Sequence, residues 1–497
     1  MQDQSHIDAV IAGQAGRSPA ATAIIDSAGS TTFAQYDAHI TAAAGLLKTA
    51  GAQPGDRVLI VAENCLATAV FIFAASRAGA IAVPVNARMT APEIARVVDH
   101  AQPRCIVYTS ACSAEAAIHA ADASAQDIGF GPFHMTQLDP APLDADTADV
   151  AVILYTTGTT GAPKGVMLTH ANLLFAGNLS MNLRGMTAGD HVYGVLPLTH
   201  IFGLASVLLA CAISGATLQL ETRFTPAKLH AALLGGATVF PAVPQMHALL
   251  MQYAADQGLT RLEGAKLRYV SSGAAPLDPA WKAKAEGFYG LPLQNGYGMT
   301  ESSAGVSGTR NTIGSPDTSA GPPLPGIEVR IDAAPGADAG EVMTRGAHVM
   351  KGYFRAPDLT AQTVQDGWLR TGDLGKLDDA GNLHIVGRAK ELIIRGGFNV
   401  YPPEVEAALN DHPDVIQCAV IGAKNAVGDE DILAFVQCRD PLAFDTAALS
   451  HFAAARLSGY KRPTRIFAVD ALPAAPTGKI LKHKLLDAFA DRLNQKD

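Results

Sequence analysis

The segment AVILYTTGTTGAPKGVMLTH, from Ala151 to His170, carries the strongest indication of fold and ligand in this chain. An apolar run leads into a loop of threonines and glycines that ends at Lys164, and a second apolar run follows. Glycine lets the backbone approach a ligand closely, threonine supplies hydroxyl donors, and lysine supplies positive charge. Because these groups suit phosphates, the loop is predicted to bind a phosphorylated ligand.

The loop differs from the usual P-loop, in which Gly-Lys-Ser/Thr opens a helix. Here Pro163 precedes the lysine and Gly165 follows it. The apolar residues that end at Leu168 predict a strand, and we expect a helix to begin only at His170 or Ala171. This strand, loop and strand order suits a flap over a triphosphate. The alternative is an ordinary glycine-rich surface loop.

Strand and helix patterns alternate from residue 30 onward. Short apolar strands are predicted at Arg57 to Ala62, Ile81 to Val85 and Cys105 to Tyr108, with helices between them. This β-α-β-α-β order predicts an α/β fold, in which a large N-terminal domain of several subdomains has parallel sheets flanked by helices. Past Asp373 the pattern changes to hairpins and a helix that Pro402 begins, which predicts a small C-terminal domain of α+β type.

Length and composition limit the possible functions. The chain has 497 residues, of which 48% are hydrophobic, so it can bury a large core and is too long for one domain. Its net charge of -9 argues against a nucleic-acid partner. Six scattered cysteines predict neither disulfides nor a structural metal. Glycine and serine interrupt the apolar segment from Ile201 to Leu218, so we expect a buried helix there rather than a membrane span. The N-terminus lacks a signal pattern, which predicts a cytoplasmic protein.

Two further motifs follow apolar segments, where a nucleotide site needs small or polar residues. SSGAAPL, residues 271–277, is a turn of small residues on which a flat ring could lie. LQNGYGMTES offers amide hydrogen bonds from Asn295, stacking from Tyr297, a phosphate contact from Thr300 and a magnesium ligand in Glu301.

Two shorter motifs are informative only in combination with these. The TGD motif is predicted to place Asp373 at a loop, where a carboxylate accepts two ribose hydroxyls. In the PTGK motif, Lys479 follows a turn, a position at which lysine is ordinarily a solvated charge.

Taken in order, the motifs YTTGTTGAPKG, LPLTH, YGMTE, LRTGD, GRAKELIIRGGFNVYPPEVE and PTGK resemble those of the ANL superfamily of adenylate-forming enzymes. The likeness covers nearly the whole chain and is greatest to AMP-forming acyl- and aryl-CoA synthetases. It implies an N-terminal adenylation domain over residues 1–389 and a mobile C-terminal domain over residues 390–497, with a hinge at Lys390. It also implies ATP, Mg²⁺ and coenzyme A as cofactors and a small carboxylic acid as the partner, while a homodimer stays open.

The resemblance further implies two half-reactions at one site. A carboxylate attacks the α-phosphate of ATP and pyrophosphate leaves; the thiolate of CoA then attacks the acyl-adenylate after the C-terminal domain rotates. The implied catalytic residues are Lys479, Thr300, Glu301 and His200, with Glu301 also the metal ligand and a hydrogen-bonded core histidine the alternative for His200. The implied ATP and CoA contacts are Thr156, Thr157, Gly158, Thr159, Thr160, Lys164, Gly273, Ala274, Ala275, Asn295, Gly296, Tyr297, Asp373, Arg388, Lys390 and Gly397. The implied acyl-group contacts are Phe202, Ser206, Gly298, Ser303 and Val306.

The identity of the acid is the least determined feature. Malonate-type ligases commonly carry an arginine immediately before the YGMTE tyrosine, where this chain has Gly296, so a dicarboxylate is disfavoured. Small and apolar residues predict an uncharged pocket for an aryl acid or a medium-chain fatty acid. The alternatives are a malonyl-type ligase, an acyl-adenylate ligase that loads a carrier protein, and a nucleotide-binding pseudoenzyme. For the phosphates of CoA, a basic patch is one interpretation of Arg395, Lys424, Lys461 and Arg462.

Overall fold

The computed structural model describes residues 6–129, 133–157, 163–273, 277–395, 398–425, 430–474 and 480–493. Two large sheets dominate the N-terminal part, and each has eight strands within the described residues. In spatial order, the first contains Ala304–Gly308, Leu293–Met299, Tyr269–Gly273, Val239–Ala242, His191–Gly194, Thr217–Leu220, Thr22–Asp26 and Gly29–Thr32. The second contains Gly352–Tyr353, Pro163–Thr169, Val150–Thr157, Ile81–Asn86, Arg57–Ala62, Cys105–Tyr108, His134–Gln137 and Gln126–Asp127.

The strands in the middle of both sheets pair in parallel, and the pairs toward the sheet edges, including Val150–Thr157 with Pro163–Thr169, are antiparallel. Arg57–Ala62 is buried at every position, as expected of a parallel strand that helices cover on both faces. The predicted α/β class is therefore confirmed. The helices of this part are Ala9–Arg17, Phe33–Thr49, Leu66–Arg77, Ala91–Ala101, Ala114–Asp122, His170–Arg184, Pro226–Leu234, Pro244–Asp256, Pro279–Tyr289 and Pro357–Thr363.

Local signals explain where several helices begin. Thr32 and Gln35 form a capping box before Phe33–Thr49, and Thr169 and Asn172 do the same before His170–Arg184. The paired strands Val150–Thr157 and Pro163–Thr169 confirm the two predicted strands, and this second helix begins at His170 as expected, while residues 158–162 of the predicted loop lie outside the described residues.

One long helical stretch follows the LPLTH motif. It begins as Ile201–Gly203, continues as a π-helix over Leu204–Leu209, and ends as Ala210–Ser214. Its residues are largely buried, which confirms the expectation of a core helix. Within the described ranges, the chain has no helix with both the length and the apolar character that a membrane crossing requires.

Three smaller sheets complete the fold. One joins Ile327–Asp332, Gly340–Gly346, Trp368–Leu377, Val364–Gln365 and Leu383–Arg388; the second is the hairpin of Ile393–Arg395 and Phe398–Val400; the third contains Gln417–Lys424, Glu430–Gln437 and Arg465–Val469. The helices around the third sheet are Pro402–Asn410, Thr446–Ala454, Leu485–Ala488 and Ala490–Leu493. Apolar residues of this last region form core clusters of their own, separate from the N-terminal core.

Candidate active site

A buried carboxylate, Asp373, connects several of the residues predicted from the sequence. It is 4% exposed. The Tyr297 hydroxyl donates to its Oδ2 over 2.5 Å, and the Arg388 Nε lies 3.0 Å from its Oδ1. Burial, followed by the charge of Asp373, raises the pKa of Tyr297 well above its ordinary value, so the phenol remains a protonated donor. The structure therefore brings together residues from three separate motifs.

The TGD motif lies inside the strand Trp368–Leu377, so the prediction that it forms a loop is wrong. Gly372 has a φ of 70°, in the region that favours glycine, and the pairing register shifts on both sides of the motif. The Thr371 hydroxyl donates to the Val342 carbonyl over 2.7 Å and accepts from the Asp373 amide over 3.1 Å. This irregularity within a paired strand, rather than a turn, positions the carboxylate.

A second buried carboxylate, Glu301, follows the strand Leu293–Met299 and is 9% exposed. The Tyr353 hydroxyl donates to its Oε1 over 2.9 Å, and the Lys164 Nζ lies 5.6 Å from the centre of the Tyr353 ring. Burial, followed by the charge of Glu301, raises the pKa of Tyr353. Tyr353 thus links the lysine of the threonine-rich loop to the predicted metal ligand. Tyr353 belongs to none of the sequence motifs, and only its pairing with Val166 brings it to the site.

Three cations converge near Asp373. Burial lowers the pKa of Lys390, and the charge of Arg388 lowers it next most strongly, with a further contribution from Lys164. Lys390 lies in the single turn Ala389–Glu391, directly after Arg388. Because like charges held together are unfavourable unless an anion neutralises them, this arrangement suits a polyanionic ligand such as a triphosphate.

Asn295 lies within the strand Leu293–Met299 and keeps one unused polar atom. Its Nδ2 donates to the Ser319 carbonyl over 2.9 Å, and its backbone amide donates to the Thr309 hydroxyl over 2.8 Å. The Asn295 Oδ1 is buried and has no hydrogen-bond partner, and the same is true of the Ser272 Oγ on the neighbouring strand. Since buried polar atoms are rarely left unpaired, these two atoms can bind polar groups of a ligand.

Gly273 and Gly296 are register partners on these two strands. A Cβ on Gly273 would lie 3.1 Å from the Phe202 ring, and one on Gly296 would lie 3.0 Å from the Ser307 carbonyl oxygen. Both glycines therefore allow a close approach that a larger residue would obstruct.

His200 caps the helix that carries the predicted acyl-group residues. Its Nδ1 accepts from the Phe202 amide over 3.3 Å, and its side chain is partly exposed. Ser206, one turn after Phe202, is 5% exposed, and its hydroxyl lies 3.1 Å from that of Ser180. Phe202 therefore lies next to Gly273, whereas Ser206 lies against the helix His170–Arg184.

The remaining acyl-group residues lie on the strands Leu293–Met299 and Ala304–Gly308 and in the turn between them. A Cβ on Gly298 would lie 1.5 Å from the Ala304 carbonyl oxygen, so the strand pairing itself requires glycine there. Ser303 has a φ of 51°, and its buried hydroxyl has no partner. Val306 is fully buried against Leu324. Thr300 is buried beside Glu301.

The threonine-rich loop is described only at its ends. Thr156 pairs with Lys164, and Thr157 pairs with Pro163. The predicted residues Gly158, Thr159, Thr160, Ala274, Ala275, Gly397 and Lys479 lie outside the described residues.

A cationic and aromatic surface lies on the hairpin after Lys390. Phe398 is 56% exposed and stacks on Tyr460 with 4.7 Å between ring centres. The Lys461 Nζ lies 5.6 Å from the centre of the Tyr460 ring, and Arg395 donates to the Arg462 carbonyl over 2.6 Å. The structure therefore groups three of the four predicted CoA-side cations. It shows no contact between these and Lys424 among the described residues.

The residues present fit ATP and Mg²⁺. Mg²⁺ is usually held by one or two carboxylates together with substrate phosphates and water, so the single carboxylate of Glu301 suffices. No cluster of three or more His, Cys, Asp or Glu side chains that could hold a metal occurs within the described ranges, which is consistent with an ion bound jointly with phosphate.

Comparison with known proteins adds independent information. The family model described as AMP-binding enzyme matches residues 11–354, and that described as AMP-binding enzyme C-terminal domain matches residues 404–479. The chain is 33% identical over 483 residues to a feruloyl-CoA synthase from Amycolatopsis sp, which covers 96% of this chain and 97% of that protein. It is 33% identical over 481 residues to a 2-succinylbenzoate–CoA ligase from Geobacillus kaustophilus (strain HTA426), covering 94% and 95%.

A solved structure is similar over its whole length. O-succinylbenzoate Coenzyme A synthetase from Bacillus subtilis, in complex with ATP and magnesium ion, has a TM-score of 0.80 and 29% identity. The similarity covers 96% of this chain and 98% of that one.

Proposed function

Since this chain belongs to the AMP-binding enzyme family, within the ANL superfamily of adenylate-forming enzymes, we propose that it is an ATP-dependent carboxylic acid:CoA ligase of the AMP-forming type. The observation that carries this proposal is the convergence of Asp373, Glu301, Lys164, Arg388 and Lys390 on one site. The three cations suit the phosphates of a nucleoside triphosphate, and the two oriented carboxylates suit its ribose and its metal ion. The proteins similar to this chain over most of their length are named CoA ligases or synthases.

The two carboxylates take different parts of the nucleotide. Tyr297 and Arg388 each occupy one oxygen of Asp373, and each oxygen keeps lone pairs for one ribose hydroxyl. Asn295 Oδ1 offers an acceptor for an exocyclic amine of the base. Glu301, held by Tyr353, would bind Mg²⁺, which neutralises phosphate charge when bound.

In the first half-reaction an oxygen of the substrate carboxylate attacks the α-phosphorus, and the bond to the bridging oxygen of pyrophosphate breaks. Both reactants are anions, so the work of the protein is to position them and to neutralise charge. We assign Lys164 to the phosphates of ATP, and Lys479 to the carboxylate and α-phosphate.

In the second half-reaction the CoA thiolate attacks the acyl carbonyl and AMP leaves with the electron pair. We place the hinge for this step at Lys390, between domains of residues 1–389 and 390–497. Arg395 and Phe398 follow that hinge closely, and with Tyr460 and Lys461 they form a surface that combines an aromatic stack with cations, which suits the nucleotide end of CoA.

The acid we propose is an aryl acid, bound beside Phe202 and Val306. The Phe202 ring packs directly over Gly273, which has no side chain to displace it, so Phe202 supplies an aromatic wall against which a flat group can stack. A medium-chain fatty acid would use the same apolar walls. We also propose that the protein acts in the cytoplasm.

Mass spectrometry of products tests this function. The enzyme is incubated with ATP, Mg²⁺ and a panel of aryl, fatty and dicarboxylic acids, with and without CoA. We expect acyl-AMP without CoA, and acyl-CoA with AMP when CoA is present. Accumulation of acyl-adenylate in the presence of unreacted CoA would instead identify a carrier-protein ligase.

A variant separates the two steps. Lys479→Ala should abolish formation of acyl-AMP from ATP while it still converts supplied acyl-adenylate to acyl-CoA. Equal loss of both steps would contradict the role assigned to Lys479.

A further inference from the structure

Arg184, the last residue of the helix His170–Arg184, is buried without a counter-ion. It is 6% exposed, and within the described ranges no carboxylate lies at ion-pair distance from its guanidinium. Its Nη1 donates to the Ser206 carbonyl, whereas its Nε has no hydrogen-bond partner. Burying an unpaired charge is costly, so such a group is expected to meet an anion that is not part of the described chain.

The position of Arg184 relates it to the acyl-group residues. Phe202 lies against Gly273 at one end, and Ser206, whose carbonyl accepts from Arg184, follows four residues later in the same helical stretch. On the facing strand, Tyr269 precedes Gly273 by four residues and therefore points to the same side of the sheet.

The guanidinium lies between these two elements. Burial lowers the pKa of Arg184, while the neighbouring Tyr269 hydroxyl opposes this effect, and burial in turn raises the pKa of Tyr269. The tyrosine is therefore a neutral neighbour and supplies no negative charge. Arg184 thus lies at the end of the acyl-group residues that is remote from Gly273.

We propose that Arg184 binds a second carboxylate at the far end of the substrate acid. A guanidinium presents parallel N–H donors that match the two oxygens of a carboxylate, and an unused Nε–H is one of these donors. This inference rests on the proposed ligase function and specifies its substrate as a long diacid.

The strand between the two ends sets the length of that diacid. Four residues of extended chain, from Tyr269 to Gly273, span about 13 Å. Subtracting one hydrogen-bond distance of about 3 Å leaves roughly 10 Å between the two carboxyl groups. An arginine at the position of Gly296, which is the register partner of Gly273, would serve a short diacid instead. The absence of a cation at Gly296 is therefore compatible with a long one.

Matched pairs of acids test the proposal on the wild-type enzyme. The first pair is 4-carboxycinnamate and 4-methylcinnamate, and the second is octanedioate and octanoate. The measurement is kcat/KM for AMP formation with CoA present. We expect each diacid to exceed its monoacid by at least about 30-fold, because a carboxylate paired with arginine in a buried site forms charge-assisted hydrogen bonds. A preference for the monoacids would overturn the proposal.

Substitutions assign the preference to this side chain. Arg184→Met should lower the ratio of diacid kcat/KM to monoacid kcat/KM by at least about 30-fold. Arg184→Lys keeps the charge but loses the parallel N–H donors of the guanidinium, so it should lower that ratio less. Arg310→Met is the matched control, since Arg310 is exposed in the same region, and its ratio should equal that of the wild type. A ratio unchanged in Arg184→Lys and Arg184→Met would overturn the proposal, and if the methionine variant does not fold, the lysine variant and the wild-type pairs decide.

A binding measurement separates this inference from the ligase function. Calorimetric titration of the ATP-bound wild type with each acid requires no turnover. If the diacids bind more tightly than the monoacids and no acid reacts, the Arg184 subsite stands and the ligase function fails. If both kinds of acid are ligated with equal kcat/KM, the ligase function stands and the subsite fails.

Discussion

The ribose contact proposed for Asp373 predicts how the enzyme distinguishes ATP from 2′,3′-dideoxy-ATP. Tyr297 and Arg388 each take one position on one carboxylate oxygen, so one ribose hydroxyl can donate to each oxygen. A hydrogen bond to a charged group contributes about 1.5–3 kcal/mol, and two such bonds amount to about 3–6 kcal/mol. Since about 1.4 kcal/mol corresponds to a factor of ten, the wild type should bind ATP at least about 100-fold more tightly than the dideoxy analogue.

Asp373→Asn should remove most of that discrimination. The amide keeps one accepting oxygen and no charge, and a neutral hydrogen bond contributes only about 0.5–1.5 kcal/mol. The ratio of the two dissociation constants should therefore fall to about tenfold or less. Calorimetric titration with both nucleotides gives the four values of a double-mutant cycle, in which a general loss of stability cancels.

The control for this cycle is Asp378→Asn. Asp378 lies at the turn of the same hairpin and accepts from Asn382 and His384, outside the proposed site. Its variant should discriminate between the nucleotides as the wild type does. If Asp373→Asn weakens both nucleotides by the same factor, the carboxylate does not hold the ribose and the reasoning is refuted.

Three further predictions follow from the same geometry. Tyr353→Phe removes the 2.9 Å hydrogen bond to Glu301 and should raise the Mg²⁺ concentration for half-maximal activity about tenfold. Tyr155→Phe, which loses a hydrogen bond to His100, should leave that concentration unchanged. Equal Mg²⁺ requirements in the two variants would contradict the proposed role of Tyr353 in orienting Glu301. Gly298→Ala places a Cβ 1.5 Å from a carbonyl oxygen and should lower the free energy of unfolding by at least about 3 kcal/mol, whereas Gly287→Ala, in open space on a helix, should raise it by about 0.5–1 kcal/mol in denaturant titrations. Burial holds the pKa of His247 and of His348 at about 4, below the ordinary 6.5, so the unfolded chain binds protons that the folded chain does not. The free energy of unfolding should therefore fall as the pH drops from 6.5 to 4, by up to about 3 kcal/mol per histidine. His348→Gln should make this dependence of the unfolding free energy on pH less steep, whereas His451→Gln, at an exposed position, should leave it unchanged.

The parts of the fold that the sequence predicted are those with local causes. The helix after Thr32 begins where a capping box satisfies its first amides, and the helix after Tyr401 begins with two prolines. The strand Arg57–Ala62 is recognisable because a parallel strand covered on both faces is apolar throughout. Each signal lies within a few residues of the element it specifies.

The site was predictable only where its residues belong to motifs. Tyr353 reaches Glu301 because a two-residue strand pairs with Val166–Met167, and nothing in the local sequence specifies that pairing. Asp373 was expected in a loop, since TGD is a turn-like tripeptide, but long-range pairing incorporates it into a strand with a bulge. Strand register is a property of two distant segments, so one segment alone could not reveal it.

Arg184 shows the same limit for charge. An arginine in the last turn of a helix is ordinarily a favourable partner of the helix dipole at a solvated end, and the sequence offers no reason to expect more. Only the packing of that helix against the π-helix Leu204–Leu209 buries the guanidinium and aligns it with Ser206. The charge thereby becomes unfavourable in the free protein and favourable when a carboxylate arrives, which is how a binding site gains selectivity at the expense of stability. Lys164, Arg388 and Lys390 follow similar reasoning at the phosphate end: Asp373 and Glu391 offset part of the repulsion at Lys390, and a polyanion would neutralise the remainder. Each end of the site therefore has positive charge that a ligand would neutralise. The nucleotide phosphates would neutralise Lys164, Arg388 and Lys390, and the far carboxylate of the acid would neutralise Arg184.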